Sequence, residues 1–148
     1  MLKDCYVPPL IEPEIMSRAP RIRHTALKVR NLDRSVDFYT RVLGMKLARI
    51  RESAQRQHKA AYVGYGAEEE THTLELVEDI TPPDNFELGN LYWHINISVP
   101  DIDGLCGRLK AEKVVFTEEP RATESNPNCK IAFIKDPDGY EIELTDIP

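Results

Sequence analysis

The sequence predicts an α+β domain built from two like modules, each a strand, a helix and three further strands. Three observations predict it. Residues 24–30 (HTALKVR) and 93–99 (WHINISV) alternate apolar and polar side chains, the period of a half-buried strand. Each is followed by apolar residues at helical spacing. The two units also superimpose at an offset of 70 positions, aligning Val29 with Val99, Leu32 with Ile102 and Asp33 with Asp103.

Composition sets the outer bounds. With 148 residues, 41% apolar and 30% charged, the chain has the make-up of one globular domain. Nineteen basic against 25 acidic residues leave a net charge of −6, which disfavours a general nucleic-acid binder. No apolar run approaches the ~20 residues needed to span a bilayer, so no membrane partner is expected. The opening MLKDCYVPPLIEPEIM places acids and prolines where a signal peptide needs a continuous apolar stretch, which makes the cytoplasm the expected location. Cys5, Cys106 and Cys129 are odd in number and widely spaced, fitting neither a disulfide framework nor a zinc motif.

Residues 1–20 are Pro-rich and aperiodic and read as an arm, ahead of a single domain over 21–148 with modules at about 22–80 and 91–146. In the first strand Thr25, Leu27 and Val29 share one face, while His24, Ala26 and Lys28 share the other. NLDRSVDFYTRVLGM then spaces Leu32, Val36, Tyr39 and Leu43 as a helix, with Asn31 or Asp33 able to cap its start and Gly44 its end. Strands are expected over 46–51, 59–64 and 71–77. The acidic run 68–70 reads as a solvated loop, and His58 and His72 as surface residues. In the second module Ile95, Ile97 and Val99 oppose His94, Asn96 and Ser98. Tyr92 shares the parity of His94 and can line a pocket, whereas Trp93 is expected to pack. PDIDGLCGRLKAEK buries Ile102, Leu105, Cys106 and Leu109 along one helical stripe. Strands follow over 114–117, 130–134 and 140–145, the last two joined by DPDG, a turn with Pro to fix φ and Gly to accept φ > 0.

The repeat matters because of where it puts polar groups. His24 and His94 open the two first strands, 70 positions apart, and Glu75 and Glu143 lie in the two last strands, 68 apart. Aliphatic residues flank each glutamate, so each carboxylate projects from the face opposite the core. A lone His or Glu on such a face is ordinarily just solvated. Two imidazoles and two carboxylates in register instead make a donor set of charge −2 for one divalent cation. Ni, Co, Zn, Mn and Fe suit it better than a thiolate-preferring metal. Four protein ligands in an octahedral shell leave two places for water or substrate oxygens, the open geometry of a catalytic site.

The stretches HTALKVRNLDRSVDFYTRVLGMKL, AYVGYG, HTLELVED, HINISV and IAFIKDPDGYEIEL resemble glyoxalase I (lactoylglutathione lyase) of the vicinal-oxygen-chelate superfamily, over about residues 22–146. The resemblance implies paired βαβββ modules forming an open eight-stranded sheet around a metal. It implies a homodimer in which each site takes His24 and Glu75 from one chain and His94 and Glu143 from the other. It implies a metal-dependent lyase acting on the hemithioacetal of glutathione and a 2-oxoaldehyde such as methylglyoxal, giving S-lactoylglutathione through an enediolate. The base is then Glu143, with Glu75 its near-symmetric counterpart. A histidine at the first ligand position resembles the short bacterial form, which prefers Ni or Co, with Zn as the alternative.

Substrate contacts follow the same resemblance. The family usually carries Arg four residues after the first ligand and Asn four after the first glutamate, both touching glutathione; Lys28 and Asp79 stand there in this chain. Lysine keeps the charge and loses the bidentate fork. Trp93 replaces a small residue before the second histidine. The loop RATESNPNCK departs from a Gly- and Lys-rich version and leaves Arg121 and Lys130 as candidate anion contacts. Two other readings stand beside this one. The first is another superfamily reaction, a dioxygenase or an epimerase, although a carboxylate at 75 suits a two-His-one-Glu iron site less well. The second is a small-molecule-binding resistance protein, whose superfamily members typically lack the ligand set.

Overall fold

The computed structural model describes residues 20–147. The arm over 1–20 lies outside them apart from Pro20. Among the described residues eight strands and two α-helices run β1 His24–Lys28, α1 Leu32–Asp37, β2 Lys46–Ser53, β3 His58–Gly64, β4 Thr73–Asp79, β5 His94–Ser98, α2 Ile102–Ala111, β6 Phe116–Ala122, β7 Lys130–Lys135 and β8 Glu141–Thr145. The expected grammar is present twice. The eight strands divide into two mixed four-stranded sheets, ordered β1-β4-β3-β2 and β5-β8-β7-β6. In each sheet the first strand pairs in parallel with the last, while the remaining pairs are antiparallel.

Asn31 caps α1 by accepting a hydrogen bond from Arg34 N at 2.8 Å, and Asp101 caps α2 through Gly104 N at 2.9 Å. The first helix does not keep its 3.6-residue period. It widens over Phe38–Val42 into a turn where Leu43 N reaches back five residues to Phe38 O at 3.0 Å. The extra residue rotates the stripe, so Phe38 and Tyr39 are both buried side by side. Gly44, at φ +78°, then turns the chain into β2. Strand β6 begins two residues later than expected and runs on to Ala122 through Pro120. An edge strand tolerates that proline because its outer side needs no ladder donor.

One core joins the modules. Leu27, Tyr39 and Leu76 of the first pack in the same buried cluster as Ile97, Leu109 and Ile134 of the second, and Cys106 is buried there as expected. Polar ties cross as well. The Tyr39 hydroxyl donates to buried Asp136 at 3.0 Å, Arg34 to Asp138 at 2.6 Å, and the Tyr140 hydroxyl to Lys28 O at 3.0 Å. The DPDG turn, with Gly139 at φ +95°, thus clasps the helix of the other module.

Candidate metal centre

Strand register builds two equivalent half-sites. In the first sheet Ala26 lies opposite Glu75, so His24, two residues earlier on the same face, is the diagonal neighbour of Glu75. In the second, Asn96 lies opposite Glu143 and His94 holds the same diagonal place. The side chains meet. His24 Nε2 is 3.2 Å from Glu75 Oε2, and His94 Nε2 is 3.1 Å from Glu143 Oε2. Across the adjoining antiparallel pair, Tyr62 faces Glu75 and Phe133 faces Glu143. Each aromatic ring meets its histidine edge-on, with centroids 5.6 Å apart for Tyr62–His24 and 5.5 Å for Phe133–His94.

The halves differ in what restrains the carboxylate. The Tyr62 hydroxyl donates to Glu75 Oε1. Arg49 lies over the Tyr62 ring, 3.5 Å from its centroid, and grips Glu68 with two hydrogen bonds of 2.7 and 2.9 Å. Burial first, and then the Glu75 hydrogen bond, raise the Tyr62 hydroxyl above an ordinary phenol, so it remains a donor. Glu143 has instead the Asn96 amide, 2.9 Å from Oε2; its Oε1 has no donor among the described residues. His94 Nδ1 is buried and also has no partner there, leaving Nε2 as the nitrogen presented to Glu143.

Sequence reading missed this network around Glu75. The run 68–70 does not form a uniformly solvated loop. Glu68 is only 8% exposed, receives Arg49 and Arg23, and is held below the ordinary carboxylate range chiefly by Arg49. Only Glu69 and Glu70 are exposed as expected. The signal that could have found Tyr62 is its parity: it follows Ala60 on the alternate face of β3. Trp93 does not pack but stands 72% exposed, with its ring 4.7 Å from that of His94. Tyr92 donates to Glu141 O at 2.9 Å and stacks edge-on against Tyr140. His72 lies on the surface, against Thr25 at 3.0 Å, while His58 opens β3 half-buried.

The four candidate substrate contacts separate. Lys28 and Asp79 share the face of His24 and Glu75, form an ion pair with each other, and edge a cleft that includes Phe86, Leu88 and Tyr140. Arg121 lies opposite Ile131 and so on the Glu143 face of its sheet, paired with Glu118 at 2.9 Å. Lys130 has the other parity. It reaches Asp103 of α2 at 2.5 Å on the helix side, so the fold does not bring it to the Glu143 face.

Each half-site suits a divalent ion by its donor chemistry. Its N–O separation of 3.1–3.2 Å matches the about 3 Å edge between adjacent ligands when each bond is about 2.1 Å. Among the described residues no three His, Cys, Asp or Glu side chains gather within one chain to hold a metal.

Residues 21–144 match the family model for the Glyoxalase/Bleomycin resistance protein/Dioxygenase superfamily. The chain is 44% identical to a probable lactoylglutathione lyase of Vibrio cholerae, over 84% of this chain and 88% of the relative. It is 42% identical to the lactoylglutathione lyase of Escherichia coli O157:H7, over 84% and 90%. Among solved structures it resembles the trypanothione-dependent glyoxalase I of Leishmania major, with TM-score 0.74, 35% identity and coverage of 85% and 86%. It also resembles glyoxalase I of Zea mays, with TM-score 0.79 and 31% identity, and spans 44% of that longer chain.

Proposed function

Because the chain belongs to the Glyoxalase/Bleomycin resistance protein/Dioxygenase superfamily, we propose that it is a glyoxalase I-type lactoylglutathione lyase acting on the hemithioacetal of methylglyoxal and glutathione. The observation that carries this reading is the pair of equivalent His–Glu half-sites, His24 with Glu75 and His94 with Glu143. Two chains pair as a homodimer so that one chain's first half-site meets the other's second. The four side chains hold one divalent cation, nickel or cobalt before zinc, since every donor is an imidazole nitrogen or a carboxylate oxygen. When bound, the cation supplies Lewis-acid stabilisation for the oxygens of a substrate whose carbon is being deprotonated.

The rest is done by the chain's own groups. Glu143 takes the proton from the carbon bearing sulfur and hydroxyl and returns it to the neighbouring carbonyl carbon. The hydroxyl proton of the first carbon passes to the oxygen of the second, so the first carbon becomes the thioester carbonyl, the second a hydroxyl-bearing carbon, and the reaction is an isomerisation with nothing gained or lost. Asn96, on Oε2, leaves Oε1 of Glu143 to accept that proton. Lys28 and Arg121 receive anionic ends of the thiol, and Asp79 tempers the charge of Lys28. A cytoplasmic setting agrees with a glutathione cosubstrate and with Cys106 and Cys129 as free thiols. The described residues include no helix long and apolar enough to cross a membrane.

The test is to identify the metal in purified protein and then follow thioester formation from methylglyoxal with glutathione. Metal present and thioester formed is the expected result. Metal present with no thioester from glutathione or any other thiol removes the assigned reaction.

A further inference from the structure

We infer that Tyr62 is a positioning residue that makes Glu75 a fixed ligand and leaves proton transfer to Glu143. The inference rests on the proposed reaction and adds the reason why two carboxylates related by the repeat do not share one role. Tyr62 and Phe133 occupy the same place, each cross-strand from its module's glutamate and edge-on to its module's histidine. Only tyrosine carries a hydroxyl. In the first module that hydroxyl occupies Glu75 Oε1 while Oε2 faces His24, so both carboxylate oxygens are committed. The phenol cannot easily swing away, because Arg49 covers its ring and is itself held twice by buried Glu68. Strand β1 adds no further donor, since Ala26 stands where the second module has Asn96.

In the second module the aromatic partner is mute. Phe133 supports the His94 ring and donates nothing, and Asn96 contacts Oε2, the oxygen already facing His94. Glu143 Oε1 is therefore the one oxygen of the two carboxylates that neither faces a histidine nor has a hydrogen-bond donor among the described residues. A group that must accept a proton and give it back needs a free lone pair and room to move. A group that only holds an ion gains from being tied by an outer hydrogen bond.

Co2+ alone, titrated into the metal-free dimer and followed by its visible absorption, reads the Glu75 side without substrate. Tyr62→Phe should weaken Co2+ binding about tenfold and alter the band shape, as loss of an outer hydrogen bond to a ligand does. Phe133→Tyr reads the other side. A hydroxyl opposite Glu143 should lower kcat about tenfold at saturating Co2+ by occupying the base, with KM unchanged and Co2+ affinity no weaker. Wild-type Co2+ affinity and spectrum in Tyr62→Phe, or wild-type kcat in Phe133→Tyr, overturns the inference and leaves the proposed reaction standing. A wild-type protein that binds no Co2+ overturns both.

Discussion

Tyr39 and Asp136, 97 residues apart, share a hydrogen bond of 3.0 Å inside the core, where the carboxylate also receives the backbone N–H groups of Asp138 and Tyr140 at 2.9 and 2.8 Å. One side chain belongs to the first module and the other to the closing turn of the second, so the bond fixes how the two modules sit. Tyr39→Phe removes one of three donors to a buried acceptor. We expect a loss of about 1–3 kcal/mol, read as a fall in the denaturation midpoint. A midpoint matching the wild type would mean that the clasp contributes nothing.

The same carboxyl gives a pH signature. Burial raises Asp136 above its ordinary value of 3.8, against the opposing pull of its hydrogen bonds. For an acid with a raised folded value, its stabilising contribution is complete below the unfolded value. That contribution is lost as pH rises through the folded one. Asp136→Asn cannot ionise and lacks this loss. The stability advantage of the wild type over Asp136→Asn should therefore shrink as pH rises above the ordinary value of 3.8 toward neutrality. An advantage that stays level or grows over that range contradicts the assignment.

Glu143→Gln should lower kcat at saturating metal by at least about 100-fold, the lower end for loss of a general base, while the dimer persists. Glu75→Gln is the control. Its main effect should be metal affinity weakened about 10- to 100-fold, with a smaller loss of kcat. Wild-type-like turnover in Glu143→Gln would remove Glu143 from the base role.

Sharing of the sites can be tested by mixing. A chain carrying His24→Gln and Glu75→Gln should be inactive, and so should one carrying His94→Gln and Glu143→Gln. Denatured and refolded together, they should recover about a quarter of wild-type activity. About half of randomly paired dimers are mixed, and each mixed dimer regains one complete site of its two. No recovery, from chains that refold to dimers, would place all four ligands in one chain.

The Lys28–Asp79 pair should govern thiol preference. Asp79→Asn frees the Lys28 charge and should raise kcat/KM with glutathione several-fold, chiefly through KM. Lys28→Met should lower it by about tenfold, a size ordinary for a charge-assisted contact. The pair is exposed, so its effect should fade with added salt. Identical kinetics in both variants would take the cleft out of substrate recognition.

What could be read in the sequence was whatever strand and helix periods encode locally. Alternation put His24, Glu75, His94 and Glu143 on the faces away from the aliphatic core, and the offset between modules made them equivalent. Those relations follow from backbone geometry alone, and so did the cap Asn31 and the turn at 136–139. Other features depended on contacts across long stretches of chain. Glu68 looked like one of three solvated acids because the arginines that bury it come from elsewhere, Arg23 45 positions away and Arg49 19 away. Lys130 looked like a pocket cation until strand register turned it toward Asp103 of α2. Tyr62 and Phe133 were not singled out by the sequence, and only cross-strand pairing sets one hydroxyl against Glu75 and none against Glu143. Periodicity decides which face a side chain takes; register and packing decide what it meets there, and in this protein that second decision separates two carboxylates the repeat had made alike.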